Sequence, residues 1–166
     1  TVYNALGVLG AALALGVSLE DAAAALEEMF AAAKEEGVTL STVSGYRSYS
    51  KQSTIYARKK ASQGEEEADR VSARPGTSEH QLGLAVDIVD VNYQLLDTNQ
   101  ENTAVQKWLL ENSWRYGFIL RYPTDQTDVT GIVYEPWHYR YVGKEYAQDI
   151  YKKGLCLEQY LEQWGK

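Results

Sequence analysis

Hydrophobic and polar residues follow two periods along this chain, one near 3.6 residues and one of two, and the switches between them mark the elements. Tyr3 to Leu15 is rich in Ala and Leu, apolar nearly all round, and stops at Gly16, which predicts a helix packed against something. Ser18 and Asp21 form an S-x-x-D start signal. After it Leu19, Ala22, Leu26, Met29, Phe30 and Ala33 recur at helical spacing as far as Gly37. The two segments predict a helical hairpin whose second helix is amphipathic. Val38 to Ser44 alternates weakly with β-branched residues and predicts a strand, followed by a turn over Gly45 to Ser48. Ser50 to Gln63 is an expected helix with Ile55 and Tyr56 inward, and Gly64 to Arg70 is helical or loose. Pro75 and Gly76 supply turn chemistry, and Leu84 to Val89 reads as a short buried strand holding one charge, Asp87.

Asn92 to Asn102 is turn-like, and Thr103 opens a helix that buries Val105, Trp108 and Leu109. Tyr116, Phe118, Leu120 and Tyr122 alternate in a strand ending at Pro123, and Thr124 to Gly131 reads as a hairpin-like connection. Ile132 to Glu135 and Trp137 to Val142 are further expected strands, broken at Pro136, before helices over Lys144 to Lys152 and Leu157 to Trp164. Strands mixed with helices, without regular β-α-β alternation, predict an α+β fold: a small central antiparallel sheet with flanking helices, preceded by the N-terminal hairpin.

At 166 residues and 45% hydrophobic content the chain suits one domain with a real core. A formal net charge of -7 argues against an electrostatic grip on nucleic acid. One cysteine, Cys156, excludes an intramolecular disulfide and reads as a small buried apolar residue. The apolar run Ala5 to Val17 is too short to span a bilayer and lacks a basic leader or an A-x-A site, so neither a transmembrane segment nor an export signal is expected. The chain is expected to be a monomer.

Candidate chemistry gathers around the only two histidines, His80 and His138. His80 stands seven residues ahead of Asp87, whose carboxylate, in a buried strand, needs a partner or a metal. With two histidines a zinc site must recruit oxygen or sulfur, and His80, Asp87 and His138 make a plausible three-ligand set with a fourth position for water. Glu135, three residues before His138, is placed to act as general base. Taken singly each residue has a plainer explanation: a hydrogen-bonded structural histidine, a turn-capping aspartate, a surface glutamate. The H-E-x-x-H helix motif is missing, so spacing alone supports a metal only partway.

Four blocks, SGYRSYSKQ (Ser44 to Gln52), SARPGTSEHQLGLAVDI (Ser72 to Ile88), WRYGFILRYP (Trp114 to Pro123) and TGIVYEPWHYRYVG (Thr130 to Gly143), closely resemble the VanY-type zinc D-alanyl-D-alanine carboxypeptidases. The likeness runs from about Leu19 to the C-terminus, in the family's order. It implies a Hedgehog/DD-peptidase-like fold, a single zinc peptidase domain over residues 1 to 166, and Zn2+ held by His80, Asp87 and His138. It further implies Glu135 as catalytic base, Arg47 facing the scissile carbonyl oxygen, and Ser78 and Gln52 helping to hold the terminal portion of the peptide. The implied substrate is a peptidoglycan stem peptide losing its C-terminal D-alanine, at the cell envelope or outside the cell. An L,D-carboxypeptidase acting on tetrapeptide stems shares similar blocks. A non-catalytic module that stacks cell-wall peptide on Trp137, Tyr139 and Tyr141 is the reading from another class, although aromatics alternating in a strand are more often core.

Two features stand apart. Ser48-Tyr49-Ser50-Lys51 satisfies the S-x-x-K pattern of serine penicillin-binding proteins, but neither S-x-N nor K-T-G follows it. Thr1 to Glu27 also resembles a helical segment of the Mur ligases, without any G-x-x-x-x-G-K-[ST] loop for ATP. This raises the expectation that residues 1 to 18 are an extra helix grafted onto the peptidase, against the plainer reading that Ala-rich helices look alike.

Overall fold

The computed structural model describes residues 16–163, so the first helix of the expected hairpin and the question of a graft lie outside the described residues. The second helix is α1, Leu19–Glu35, and its start signal works as read: Ser18 Oγ accepts from the Asp21 amide at 3.0 Å. Every fourth or third residue of one stripe, Ala22, Ala25, Met29 and Ala33, is buried. The remaining helices are α2 (Tyr49–Gln63), α3 (Glu65–Val71), α4 (Ala104–Asn112), the short α5 (Thr127–Thr130), α6 (Lys144–Lys153) and α7 (Leu157–Glu162).

Four strands, β1 (Leu40–Ser44), β2 (Ala85–Asp90), β3 (Phe118–Leu120) and β4 (His138–Tyr141), form one antiparallel sheet in the order β1-β2-β4-β3. The fold is therefore the expected α+β arrangement. Because side chains alternate across a strand, each strand serves two environments. Val86 and Ile88 of β2, Tyr139 and Tyr141 of β4, and Phe118 of β3 join the apolar stripe of α1 and Val105, Trp108 and Leu109 of α4 in the main core. The indole of Trp108 donates to Glu36 Oε2 at 2.9 Å, which ties α4 to the end of α1. Ile119, Val142, Ala147, Ile150, Leu157 and Tyr160 form a second cluster where α6 and α7 meet the β3 edge. Gly117 must be glycine: at φ +87 a Cβ would stand 2.7 Å from the Tyr141 ring and 3.0 Å from the Gly143 backbone.

Three expected segments differ. Ile132 to Glu135 is not a strand; its amides are taken singly, Val133 by the Arg70 carbonyl and Glu135 by the Tyr122 carbonyl. Thr124 to Gly131 is a 3-10 turn leading into α5, not a hairpin, and the β3 strand is confined to Phe118–Leu120 because Ser113–Tyr116 coils into a 3-10 turn closed by Gly117. Ser48, the S-x-x-K serine, caps α2 by accepting from the Lys51 amide, a structural use that leaves the serine-peptidase pattern without a site. Cys156 is buried, as expected.

Candidate metal centre

The face of the sheet turned away from the main core carries charge. In the β2–β4 ladder Asp87 pairs with His138 and Ala85 with Arg140. Directly opposed residues share a face, so register alone sets Asp87 beside His138 with Arg140 one step further. His80 arrives from a different direction, on the 3-10 turn Glu79–Leu82 that Gly83 closes with a left-handed conformation. His80 Nδ1 lies 2.8 Å from the Gly45 carbonyl oxygen, so it donates there and Nε2 keeps its lone pair. That Nε2 is 3.3 Å from Asp87 Oδ1, and His138 Nδ1 is 3.5 Å from the same oxygen.

The three candidate ligand atoms lie within 4.8 Å of one another, and all three residues are buried. Asp87 Oδ1 accepts no hydrogen bond from the described residues despite its burial. Lone pairs converging in this way repel unless a positive charge stands among them, and two imidazoles with a carboxylate are a donor set that suits zinc. The electrostatics agree. Burial would raise the Asp87 carboxyl, but His80, His138 and Arg47 outweigh it and hold the group below the ordinary aspartate range. Burial would likewise lower His138, yet Glu135, Glu79 and Asp87 push it up to about 9. The pocket favours a cation at this point.

Glu135 and Arg47 complete the inner wall. Glu135 Oε2 is 3.3 Å from His138 Nδ1, on a tight turn in which the His138 amide donates to the Glu135 carbonyl. Arg47 Nη2 stands 3.5 Å from Asp87 Oδ2 and donates to Ser44 Oγ at 2.9 Å, while Nη1 donates to Gln52 Oε1 at 2.8 Å. A bulge in β1 makes this reach work: Thr42 pairs with Ile88 but Ser44 with Asp87, so Val43 is the extra residue and Ser44 is turned to the charged face. The Arg47 amide also donates to the His80 carbonyl, which joins this turn to the His80 turn.

Gln52 is fully engaged by the protein. It accepts from Arg47, and its amide nitrogen donates to the Ala73 carbonyl at 2.6 Å, so in this structure it braces Arg47 against the segment after α3. Ser78 is buried in the wall of the same cleft, one residue before Glu79. All seven expected site residues, Arg47, Gln52, Ser78, His80, Asp87, Glu135 and His138, line this one cleft of about 220 Å³. Trp137 also lines it, whereas Tyr139 and Tyr141 belong to the core, as their alternation suggested.

Running back from the cleft, with Glu79 in its lining, is a cluster that the sequence reading did not single out. Glu79 Oε1 accepts from Arg121 Nε at 2.7 Å and stands 3.2 Å from Arg140 Nη1, and Arg121 makes two further bonds, of 2.9 and 2.5 Å, to Glu158 on α7. Burial would raise the Glu79 carboxyl, but the two arginines hold it well below the ordinary range. The available signal was periodicity: His138 and Arg140 are two apart in β4, hence on one face, and Arg121 follows β3 with its amide bonded to the His138 carbonyl.

A four-stranded antiparallel sheet whose charged face offers two histidines and an aspartate to a cation, with a glutamate alongside, defines a zinc-peptidase type of site. Residues 18–144 match the family model VanY, D-alanyl-D-alanine carboxypeptidase, and the chain belongs to this family. It is 48% identical over 148 residues to the putative carboxypeptidase YodJ of Bacillus subtilis (strain 168), covering 89% of this chain and 54% of that one. It is also 48% identical over 145 residues to a D-alanyl-D-alanine carboxypeptidase of Enterococcus faecalis (strain ATCC 700802 / V583), covering 82% and 52%. The chain thus spans about half the length of these curated relatives. Among solved structures, the LdcB LD-carboxypeptidase matches with a TM-score of 0.80 at 48% identity over 86% of this chain and 67% of that one. A mutant of the vancomycin-resistance D,D-pentapeptidase VanY in complex with Zn(II) matches with a TM-score of 0.75 at 46% identity over 84% and 81%.

Proposed function

We propose that this chain is a zinc-dependent carboxypeptidase that removes the C-terminal D-alanine from peptidoglycan stem peptides, as a single, monomeric peptidase domain acting at the cell envelope or outside the cell. The observation that carries the reading is the convergence of His80, Asp87 and His138 within 4.8 Å in the cleft, with Glu135 Oε2 3.3 Å from the inner nitrogen of His138. The family description and the Zn(II)-bound relative point the same way.

Zinc held by His80 Nε2, Asp87 Oδ1 and His138 Nδ1 would supply a Lewis acid for the scissile carbonyl and an acidified water near neutral pH. The rest falls to the protein. Glu135 takes the water proton on a carboxylate oxygen and returns it to the leaving amine. Arg47, fixed by Ser44, Gln52 and Asp87 but with five N–H donors in all, has donors left for the carbonyl oxygen as negative charge develops there. Gln52 and the buried Ser78 shape the end of the cleft that receives the peptide terminus. A binding module would have no need of Glu135 in this place, which favours the enzyme.

The test is release of D-alanine from a pentapeptide stem, with and without a chelator. Release that stops on chelation and returns with zinc is the expected result; undiminished release in chelator would remove the metal from the mechanism. The likeness to LdcB supports a second reading, L,D cleavage of the tetrapeptide stem. Cleavage of the tetrapeptide in preference to the pentapeptide selects it. No helix among the described residues is long and apolar enough to cross a membrane.

A further inference from the structure

The mechanism just described makes no use of the buried cluster behind His138, and that cluster is built around one carboxylate. We propose that Glu79 is a positioning residue: its carboxylate holds the Nε2–H of His138 so that Nδ1 keeps a lone pair for the metal, and Arg121 anchors Glu79 to Glu158 on α7. The inference rests on the metallopeptidase reading and concerns the orientation of one of its ligands.

The two histidines differ in how their outer nitrogens are held. His80 Nδ1 has a backbone carbonyl, that of Gly45, at 2.8 Å. His138 has no such carbonyl; its Nε2 faces Glu79 Oε2 at 3.5 Å, an ion-pair distance, and neither buried atom has a hydrogen-bond partner among the described residues, so each is the other's nearest available partner. The other oxygen of Glu79 is fixed by Arg121 at 2.7 Å and flanked by Arg140 at 3.2 Å, so the carboxylate cannot turn away without abandoning two buried guanidinium groups. Arg121 is itself clamped in a two-bond fork by Glu158, a geometry that a planar guanidinium holds rigidly. Its guanidinium lies 4.8 Å over the Tyr122 ring, and Tyr122 meets the His138 imidazole edge-on at 4.9 Å. One arginine thus supports His138 twice, through Glu79 at the ring nitrogen and through Tyr122 against the ring. A ligating imidazole whose second nitrogen donates to a carboxylate has its tautomer and orientation set by that bond, and loss of such a partner lowers metal affinity by about 10- to 100-fold.

Zinc affinity, measured by chelator competition on the whole chain, and the imidazole 1H–15N spectrum of the zinc-loaded protein test this together. Glu79→Asp keeps the charge that Arg121 and Arg140 need but withdraws the oxygen from His138. It should bind zinc about 10-fold or more weakly and expose the Nε2 proton of His138 to faster solvent exchange, at a temperature where the variant is folded. Glu158→Gln, at the far end and partly exposed, should weaken binding in the same direction by a smaller factor. Parental zinc affinity with an unchanged Nε2 proton in Glu79→Asp would overturn the proposal. If that variant does not fold, parental affinity in Glu158→Gln overturns it. Failure of the parent chain to bind zinc would instead overturn the peptidase reading itself.

Discussion

On one face of β2 and β4, Val86, Ile88, Tyr139 and Tyr141 pack into the core. On the other, Asp87, His138 and Arg140 are buried to the same extent. Equal burial has opposite energetic meaning on the two sides. Removing apolar surface from water stabilises the fold by about 25 cal/mol per Å². Removing ions from water costs several kcal/mol for each, and only close pairing offsets the penalty. One face therefore holds the sheet together, while the other spends stability to keep a cation site and its supports in fixed positions.

That contrast can be broken most sharply at Arg121. Its replacement by alanine leaves Glu79 buried beside a single arginine and should cost about 3–5 kcal/mol, seen as a large drop in the urea midpoint, although no apolar contact of the main core is touched. Glu135→Ala should do the reverse: a loss of about 10²-fold or more in kcat with zinc content and Tm unchanged, because this carboxylate borders the cleft and does not support the sheet. On the apolar face, Ile88→Val removes one buried methylene and should cost about 0.5–1.5 kcal/mol with kcat and KM as in the parent. Lys144→Ala breaks the exposed pair with Glu28, on neither face of the sheet, and should change stability by less than about 1 kcal/mol, an effect that salt removes. Should Ile88→Val impair catalysis more than stability, the division of labour between the faces would not hold.

How much of this was legible beforehand depended on range. Local chemistry read well: Ser18 and Thr103 cap their helices through their own hydroxyls, and the ligand residues stand in blocks whose pattern resembles a known family. The three candidate ligands were legible for the same reason, since each stands in such a block, and the structure gathers them within 4.8 Å of one another. Ile132 to Glu135 misled because a β-branched run looks the same whether it joins a ladder or, as here, crosses an opening and gives its amides to Arg70 and Tyr122. Glu79 and Glu158 were invisible for a different reason: their shared partner Arg121 stands 42 and 37 residues away, and nothing local distinguishes a buried charge with a distant partner from a solvated one. Gln52 shows a finer limit, for the resemblance placed it in the cleft without revealing that Arg47 and Ala73 already occupy its amide.

The extra residue in β1 has a bearing on which length changes this scaffold tolerates. Deleting Val43 would set Ser44 directly after Thr42 and still opposite Asp87, because Val43 is the residue that pairs with nothing. Were Val43 kept and the strand paired regularly, Val43 would fall opposite Asp87, and the hydroxyl that now steadies Arg47 would turn to the apolar side. The irregular pairing of β1, and not its length alone, is what presents Ser44 to Arg47.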